Sequence, residues 1–333
     1  MKIGVVGLGY WGPNIVRNLI VNKNVAKVVC CDSNSKRLES AKLRFPTVET
    51  VTDYKAILKD PSVVAVAIVT PVSTHHKLAK EALEAGKHVL VEKPMTDSVK
   101  TSEELVEIAE RKRLTLMVDH TFVYTGAVKK IKEIVDKGEV GDILYFDSVR
   151  VNLGLFQHDI NVLWDLAPHD ISIMNFIIGK KPEFVLAIGA THYNDMEDMA
   201  YLTVGFPENL VAHFHINWLS PVKVRRILIG GSKKMVVFDD MEPSEKVKVY
   251  DKGVEISEEE SVYQTLVQYR TGDMYAPQIE QSEALSLMCG DFLSSIIEGK
   301  KPLTDGCAGL RVVRILEAGQ QSLQHHNSVI KLS

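Results

Sequence analysis

Long hydrophobic runs are missing from this 333-residue chain: the longest, Val63 to Val69, is far too short to span a bilayer. Cysteine is scarce. Its four copies, Cys30, Cys31, Cys289 and Cys307, show no repeated metal-ligand spacing, and adjacent Cys30 and Cys31 point to opposite faces of a strand. A reduced, cytoplasmic setting is the expectation. The amino terminus passes from Lys2 straight into a short strand and a glycine loop, with no signal-peptide core. Positive charge is not in excess either: 39 Lys and Arg stand against 43 Asp and Glu, a formal charge of -4. That balance argues against a nucleic-acid partner and against a cationic membrane-surface protein. Internal repeats and low-complexity segments are also lacking. What remains is 45% hydrophobic and 25% charged, an ordinary globular composition with length for about two domains.

The first 120 residues alternate apolar runs with helix-compatible stretches. The runs are Ile3–Val6, Val25–Cys31, Val63–Val69, His88–Val91 and Leu114–Val118, separated by segments such as Ser35–Arg44, Thr74–Ala85 and Val99–Arg113. Runs that are apolar on both faces fit strands covered by helices on both sides, so residues 1–120 are predicted to form a doubly wound parallel sheet. After Phe122 the pattern changes. A helix (Ala127–Lys137), a strand (Ile143–Val151), a helix near Leu166–Ile178 and several strands between Phe184 and Phe238 are predicted. Two closing helices follow, Ile279–Ile297 and Gly306–Leu323. In Val211–Trp218 apolar Ala212, Phe214, Ile216 and Trp218 alternate with His213, His215 and Asn217, as in a half-buried antiparallel strand. Residues 121–333 therefore read as an α+β domain with a mostly antiparallel open sheet. The sheet's uncovered face calls for polar residues or a second subunit.

Gly7-Leu8-Gly9-Tyr10-Trp11-Gly12 follows the first strand directly and opens the first helix. In that context a GxGxxG turn binds a dinucleotide. Gly7 makes the tight turn, Gly9 lets backbone approach a pyrophosphate, and Gly12 lets helix and strand pack closely. The helix amino terminus adds N–H groups and partial positive charge. Asp32, 20 residues beyond Gly12, ends the second strand, where a carboxylate accepts ribose hydroxyls and repels a 2′-phosphate. NAD is thus favoured over NADP, with Arg37 keeping NADP open.

Two further strand ends lie on the same rim, where ligands bind in such sheets. Thr70-Pro71 ends one, and Ser73, Thr74, His75 and His76 begin the next helix. Adjacent histidines diverge there and have no third ligand nearby, so His75 is placed near the cofactor and no metal is predicted. Glu92-Lys93-Pro94 ends the next strand. Pro94 biases Lys93 toward an extended conformation and is open to a cis bond. Lys93 is either a proton-transfer group beside a nicotinamide or a surface lysine paired with Glu92.

Taken together, Gly7–Gly12, Thr70-Pro71, Ala85-Gly86-Lys87-His88, Glu92-Lys93-Pro94 and Asp165-Leu-Ala-Pro-His169-Asp170 resemble the Gfo/Idh/MocA oxidoreductases across essentially the whole chain. The resemblance implies a Rossmann domain, then an α/β domain whose open sheet builds dimers or tetramers. It also implies NAD(P)-dependent hydride transfer at a sugar or polyol carbon, with Lys93, Asp165 and His169 at the catalytic positions. Asp165 and His169 are four apart and share a helix face if one helix holds both. An imidazole suits removal of a hydroxyl proton, and Lys93 suits stabilisation of the alkoxide. Which of the two takes the proton stays open, as does the alternative that Asp165 caps the helix with Pro168 in its first turn. Arg150-x-Asn152-Leu-Gly154 and Asn161-Val-Leu-Trp164-Asp165 are similar to the branch acting on UDP-N-acetylglucosamine or its uronate at C3. Most members carry Gly where this chain has Pro168. On this resemblance Tyr124, Arg150, Asn152 and Trp164 are candidate substrate contacts. Alternatives are an inositol, polyol or free-sugar dehydrogenase, an NAD-dependent glycosidase, and a non-enzymatic NAD-binding regulator. His213-x-His215 lacks a third metal ligand.

Overall fold

The computed structural model describes residues 1–154, 160–193, 195–256 and 267–332. The chain forms two compact units, neither of them one continuous segment: Met1–Tyr124 with Ser282–Glu317, and Thr125–Gln281 with Ala318–Ser333.

The first unit runs β1 (Lys2–Val6), α1 (Gly12–Ile20), β2 (Lys27–Cys31), α2 (Ser35–Arg44), β3 (Glu49–Val51), α3 (Tyr54–Lys59), β4 (Val63–Ile68), α4 (Val72–Glu84), β5 (His88–Glu92), α5 (Val99–Lys112) and β6 (Leu116–Asp119). Its strands pair in parallel in the order β3-β2-β1-β4-β5-β6. The order reverses between β1 and β4, the switch point where dinucleotides bind in this architecture. β1, β4 and β5 are buried almost throughout, as their two-faced apolar sequences require. The sequence reading has no counterpart of β3. That edge strand is three residues long and exposes Glu49 and Thr50, so no apolar run announces it.

The second unit runs α6 (Gly126–Asp136), β7 (Ile143–Leu153), α7 (Val162–Ile178), β8 (Phe184–Ala190), β9 (Met199–Gly205), β10 (Val211–Asn217), β11 (Leu219–Gly231), β12 (Met235–Asp239), β13 (Val247–Tyr250), β14 (Gly253–Ile256), β15 (Val267–Arg270) and β16 (Met274–Tyr275). α8 (Ala284–Glu298) belongs to the first unit, α9 (Gly306–Gln324) has residues in both, and β17 (Ile330–Lys331) returns to the second. The second sheet has the order β16-β13-β12-β11-β7-β10-β9-β8-β17, antiparallel except for the β7–β10 pair. Ala212, Phe214, Ile216 and Trp218 are buried on the face that α7 covers. His213, His215, Tyr201, Tyr145, Ile188 and Val211 lie on the other, where Ile188 keeps 51% of its surface exposed.

Two helix starts differ from the sequence reading. α8 begins at Ala284, not Ile279; the preceding segment lies against the start of α6, where a Cβ on Gly126 would meet the Glu280 carbonyl oxygen at 2.2 Å. α7 begins at Val162, four residues before the expected Leu166, with Asn161 Oδ1 accepting the Trp164 N–H at 3.2 Å. Val162, Leu163 and Trp164 are all buried, so that turn shows no amphipathic period. Asn161, not Asp165, therefore caps the helix, and Pro168 lies in its interior beyond the first turn. Among the described residues no helix is long and apolar enough to cross a membrane.

Candidate active site

The glycine loop has the geometry its spacing implies. Gly7 adopts φ +94, and a Cβ there would sit 2.4 Å from the Val69 carbonyl oxygen; on Gly12 it would sit 2.2 Å from that of Gly7. A Cβ on Gly9 would meet nothing within 4 Å, so this side of the loop is open to a ligand. Trp11 begins α1 without a side-chain cap and no acidic residue occupies the first turn, leaving the helix amino terminus free for an anion. Asp32 accepts the Leu8 N–H at 2.8 Å through Oδ2 and the Asn34 N–H at 2.8 Å through Oδ1. Each oxygen keeps a lone pair for a ribose hydroxyl. Arg37 stands 3.5 Å from Asp32 Oδ2. The uncapped helix, the open Gly9 and the strand-end carboxylate fit a dinucleotide.

The remaining rim residues are tied together from below. Buried His75 places Nδ1 2.9 Å from the Pro94 carbonyl and Nε2 2.8 Å from that of Thr70, bridging the ends of β4 and β5. Burial lowers its pKa, and a neutral imidazole donates to only one of these carbonyls at a time. His76 turns away to Glu104, 2.6 Å from its Nε2. The Lys93–Pro94 peptide bond is cis. Lys93 is half-buried, and neighbouring Glu92 has its carboxyl pKa raised well above the usual range by burial and by the charge of Asp119. His120, buried, is pushed down to about 3 by burial and by the positive charges of Lys93 and Arg311, which keeps its imidazole neutral. Tyr10 is 91% exposed, as are much of Pro71 and Ser73, while Thr70 Oγ1 lies 2.6 Å from Thr74 Oγ1.

In the second unit, α7 is buried along most of its length. Asp165, Leu166 and His169 are half-exposed and form one stripe of it, so the i, i+4 spacing does place the carboxylate and imidazole on a common face. Trp218 Nε1 donates to Asp165 Oδ2 at 3.1 Å. Gly154 is required beside that indole, since a Cβ there would meet Trp218 at 2.3 Å.

A family model described as the oxidoreductase family, NAD-binding Rossmann fold, matches residues 1–120. A second, the GFO/IDH/MocA C-terminal domain, matches residues 128–237. The chain belongs to the Gfo/Idh/MocA oxidoreductases.

Among its relatives, UDP-N-acetylglucosamine 3-dehydrogenase of Acidithiobacillus ferrooxidans is 28% identical, with 94% of each chain covered. A solved structure of that protein superposes with TM-score 0.82 at 24% identity, covering 98% of this chain and 99% of the other. Myo-inositol 2-dehydrogenase of Thermotoga maritima is 24% identical, covering 99% of this chain and 98% of that one. Levoglucosan dehydrogenase, solved with NADH and levoglucosan, has TM-score 0.83 at 20% identity over 99% of each chain, a likeness of fold. This Gfo/Idh/MocA member is thus an NAD-binding oxidoreductase, and residues 1–120 carry its Rossmann fold.

Three of the four residues expected at the substrate have other engagements. Arg150 is buried and gives Nε and Nη2 to Asp170 at 2.8 and 2.6 Å. Tyr124 is buried and donates its hydroxyl to Asp291 at 2.7 Å. Trp164 is 8% exposed and packs in the core. Asn152 alone remains half-exposed on its strand. His213 and His215 stack with Tyr201 on the open sheet face, His215 at 4.6 Å between ring centroids, and among the described residues no acidic, cysteine or histidine cluster could hold a metal. Sequence reasoning missed Asp119 and Trp218. Asp119 ends β6, and its place at the carboxyl end of a parallel strand was the available signal. Trp218 carried none beyond its alternation.

Asp32 yields a specificity prediction. Asp32→Ala removes the ribose acceptor and the charge that repels a 2′-phosphate while Arg37 stays nearby, so kcat/KM for NAD is expected to fall about 10- to 100-fold and that for NADP to rise. Steady-state rates with both cofactors check it; an unchanged preference would take the discrimination away from Asp32.

Proposed function

We propose that the chain oxidises a nucleotide-linked sugar, a UDP-N-acetylhexosamine or its uronate, at C3. The observation carrying this reading is the half-exposed Asp165–His169 stripe of α7, set in a chain that matches a UDP-N-acetylglucosamine 3-dehydrogenase over 94% of its length. NAD, when bound, supplies the hydride acceptor. His169 accepts the proton of the reacting hydroxyl, and Lys93 donates a hydrogen bond to the oxygen as negative charge develops on it. Asp165, held by the Trp218 indole, orients a sugar hydroxyl.

The test uses protein stripped of bound NADH. Absorbance at 340 nm is followed with NAD and a panel of UDP-sugars, UDP-uronates, inositols and free hexoses. Signal confined to the UDP-linked sugars supports the proposal. Signal with inositols or free hexoses overturns the nucleotide requirement and keeps the dehydrogenase. Cleavage of a glycosidic bond without net NADH indicates the glycosidase, and NADH binding with no turnover in either direction indicates a regulator.

The open face of the second sheet supports a homodimer or homotetramer, because Tyr145, Ile188, Tyr201 and Val211 leave apolar surface on one plane. Light scattering is expected to give two or four chain masses, and Ile188→Asp to lower that number. A monomer at micromolar concentration would remove this reading.

A further inference from the structure

We propose that Asp119 is a positioning residue for the cofactor: its carboxylate, set beside Glu92, fixes the Trp11 indole and thereby holds the glycine loop in its NAD-receiving form. Asp119 and Glu92 are register partners at the carboxyl ends of β6 and β5. Asp119 Oδ2 accepts the Trp11 Nε1–H at 3.0 Å. Its Oδ1 accepts the Thr121 N–H at 3.2 Å and the Thr121 hydroxyl. Trp11 directly precedes Gly12, two residues after the open Gly9, and it is also the uncapped start of α1. One bond thus connects the end of β6 to the turn where the helix amino terminus is presented.

The chemistry of the pair explains why a charged acceptor persists in a buried place. Two carboxyl groups side by side do not both ionise at neutral pH. Burial and the Asp119 charge hold the Glu92 carboxyl well above the usual carboxylate range, and its Oε2 has no hydrogen-bond partner among the described residues. The Trp11 indole thus donates to a carboxylate oxygen, and a hydrogen bond to a charged acceptor is stronger than one to a neutral group. Without it the indole N–H must turn to water, and the loop is held through its backbone, by the Gly7 N–H on the Cys31 carbonyl and the Leu8 N–H on Asp32, with its Trp11 end untied.

The experiment is a double-mutant cycle on NADH affinity, read by the fluorescence of NADH on titration into the stripped protein. Trp11→Phe keeps the ring and loses the donor; Asp119→Leu loses the acceptor. Each is expected to raise the Kd for NADH about tenfold, and the double variant no more than either alone, because both remove the same bond. Asp119→Asn, which keeps an acceptor oxygen, is expected to recover most of the affinity. The KM for NAD rises with the Kd, and the KM for the sugar does not. Unchanged affinity in a Trp11→Phe protein of normal melting temperature overturns the proposal, as do multiplying effects in the double variant. Should Asp119→Leu fail to fold, Asp119→Ala takes its place in the cycle, and the Trp11→Phe affinity decides the proposal on its own. The result depends on NAD binding alone, so it stands apart from the identity of the sugar.

Discussion

Lys93→Met and His169→Ala are each expected to lower kcat by about 10³-fold while the protein still binds NADH. The magnitude is that of a lost general base, about 10²–10⁴-fold, or of a lost donor to a developing oxyanion, about 10²–10³-fold. Methionine keeps the length and apolar stem of Lys93, whose neighbours Glu92 and Pro94 are held by Asp119 and by His75. The loop should therefore keep its shape, and the loss is chemical. The two variants differ in pH dependence. A protonated imidazole cannot accept a proton, so an acid limb in the kcat/KM profile of the unmodified protein is the mark of a histidine base. His169→Ala removes this acid limb and Lys93→Met retains it. Rates at 340 nm across pH 5–9, with NADH titrations on the same samples, read both. Full activity in either variant would sink the role given to that residue, and an acid limb that persists in His169→Ala would pass the base role to Lys93.

The second large effect is on stability. Arg150 and Asp170 form a two-bond ion pair whose side chains retain 3% and 2% of their surface. Asp170→Ala takes this carboxylate away from a guanidinium that is buried beside Arg225, its register partner on β11. Burial and then the Arg150 charge already depress the Arg225 pKa, so the local balance of positive charge is tight. Removing one member of such a pair costs about 3–5 kcal/mol. Replacing both with apolar groups of similar volume is often neutral, so Arg150→Met with Asp170→Leu should recover most of the loss. Urea unfolding followed by tryptophan fluorescence in a Trp11→Phe background measures it, Trp164 and Trp218 then reporting on the second unit. A cost under about 1 kcal/mol for Asp170→Ala would mean that water or another group reaches Arg150.

Parts of this molecule that depend on short spacings were legible before any coordinate. Gly7, Gly9, Gly12 and Asp32 are fixed by a turn and one strand-helix-strand unit. β4 and β5 are apolar on both faces because helices must cover both. Asp165 and His169 share a stripe because α-helical geometry puts residues four apart together. Such features follow from local periodicity, and the chain carries that periodicity in its order of residues.

The partners of the polar groups are another matter. Trp11 meets Asp119 across 108 positions, Trp218 meets Asp165 across 53, and Tyr124 meets Asp291 across 167. Arg150, expected at a substrate, is instead matched by Asp170. α8, far along the sequence, packs on α1 and ties Glu283 to Arg17 and Asn18, so residues 282–317 join the first unit. A buried donor or acceptor must be satisfied, and nothing in its own neighbourhood of sequence says by whom. Packing brings the partner from wherever the chain returns, and that choice settles which charged side chains remain open to a ligand.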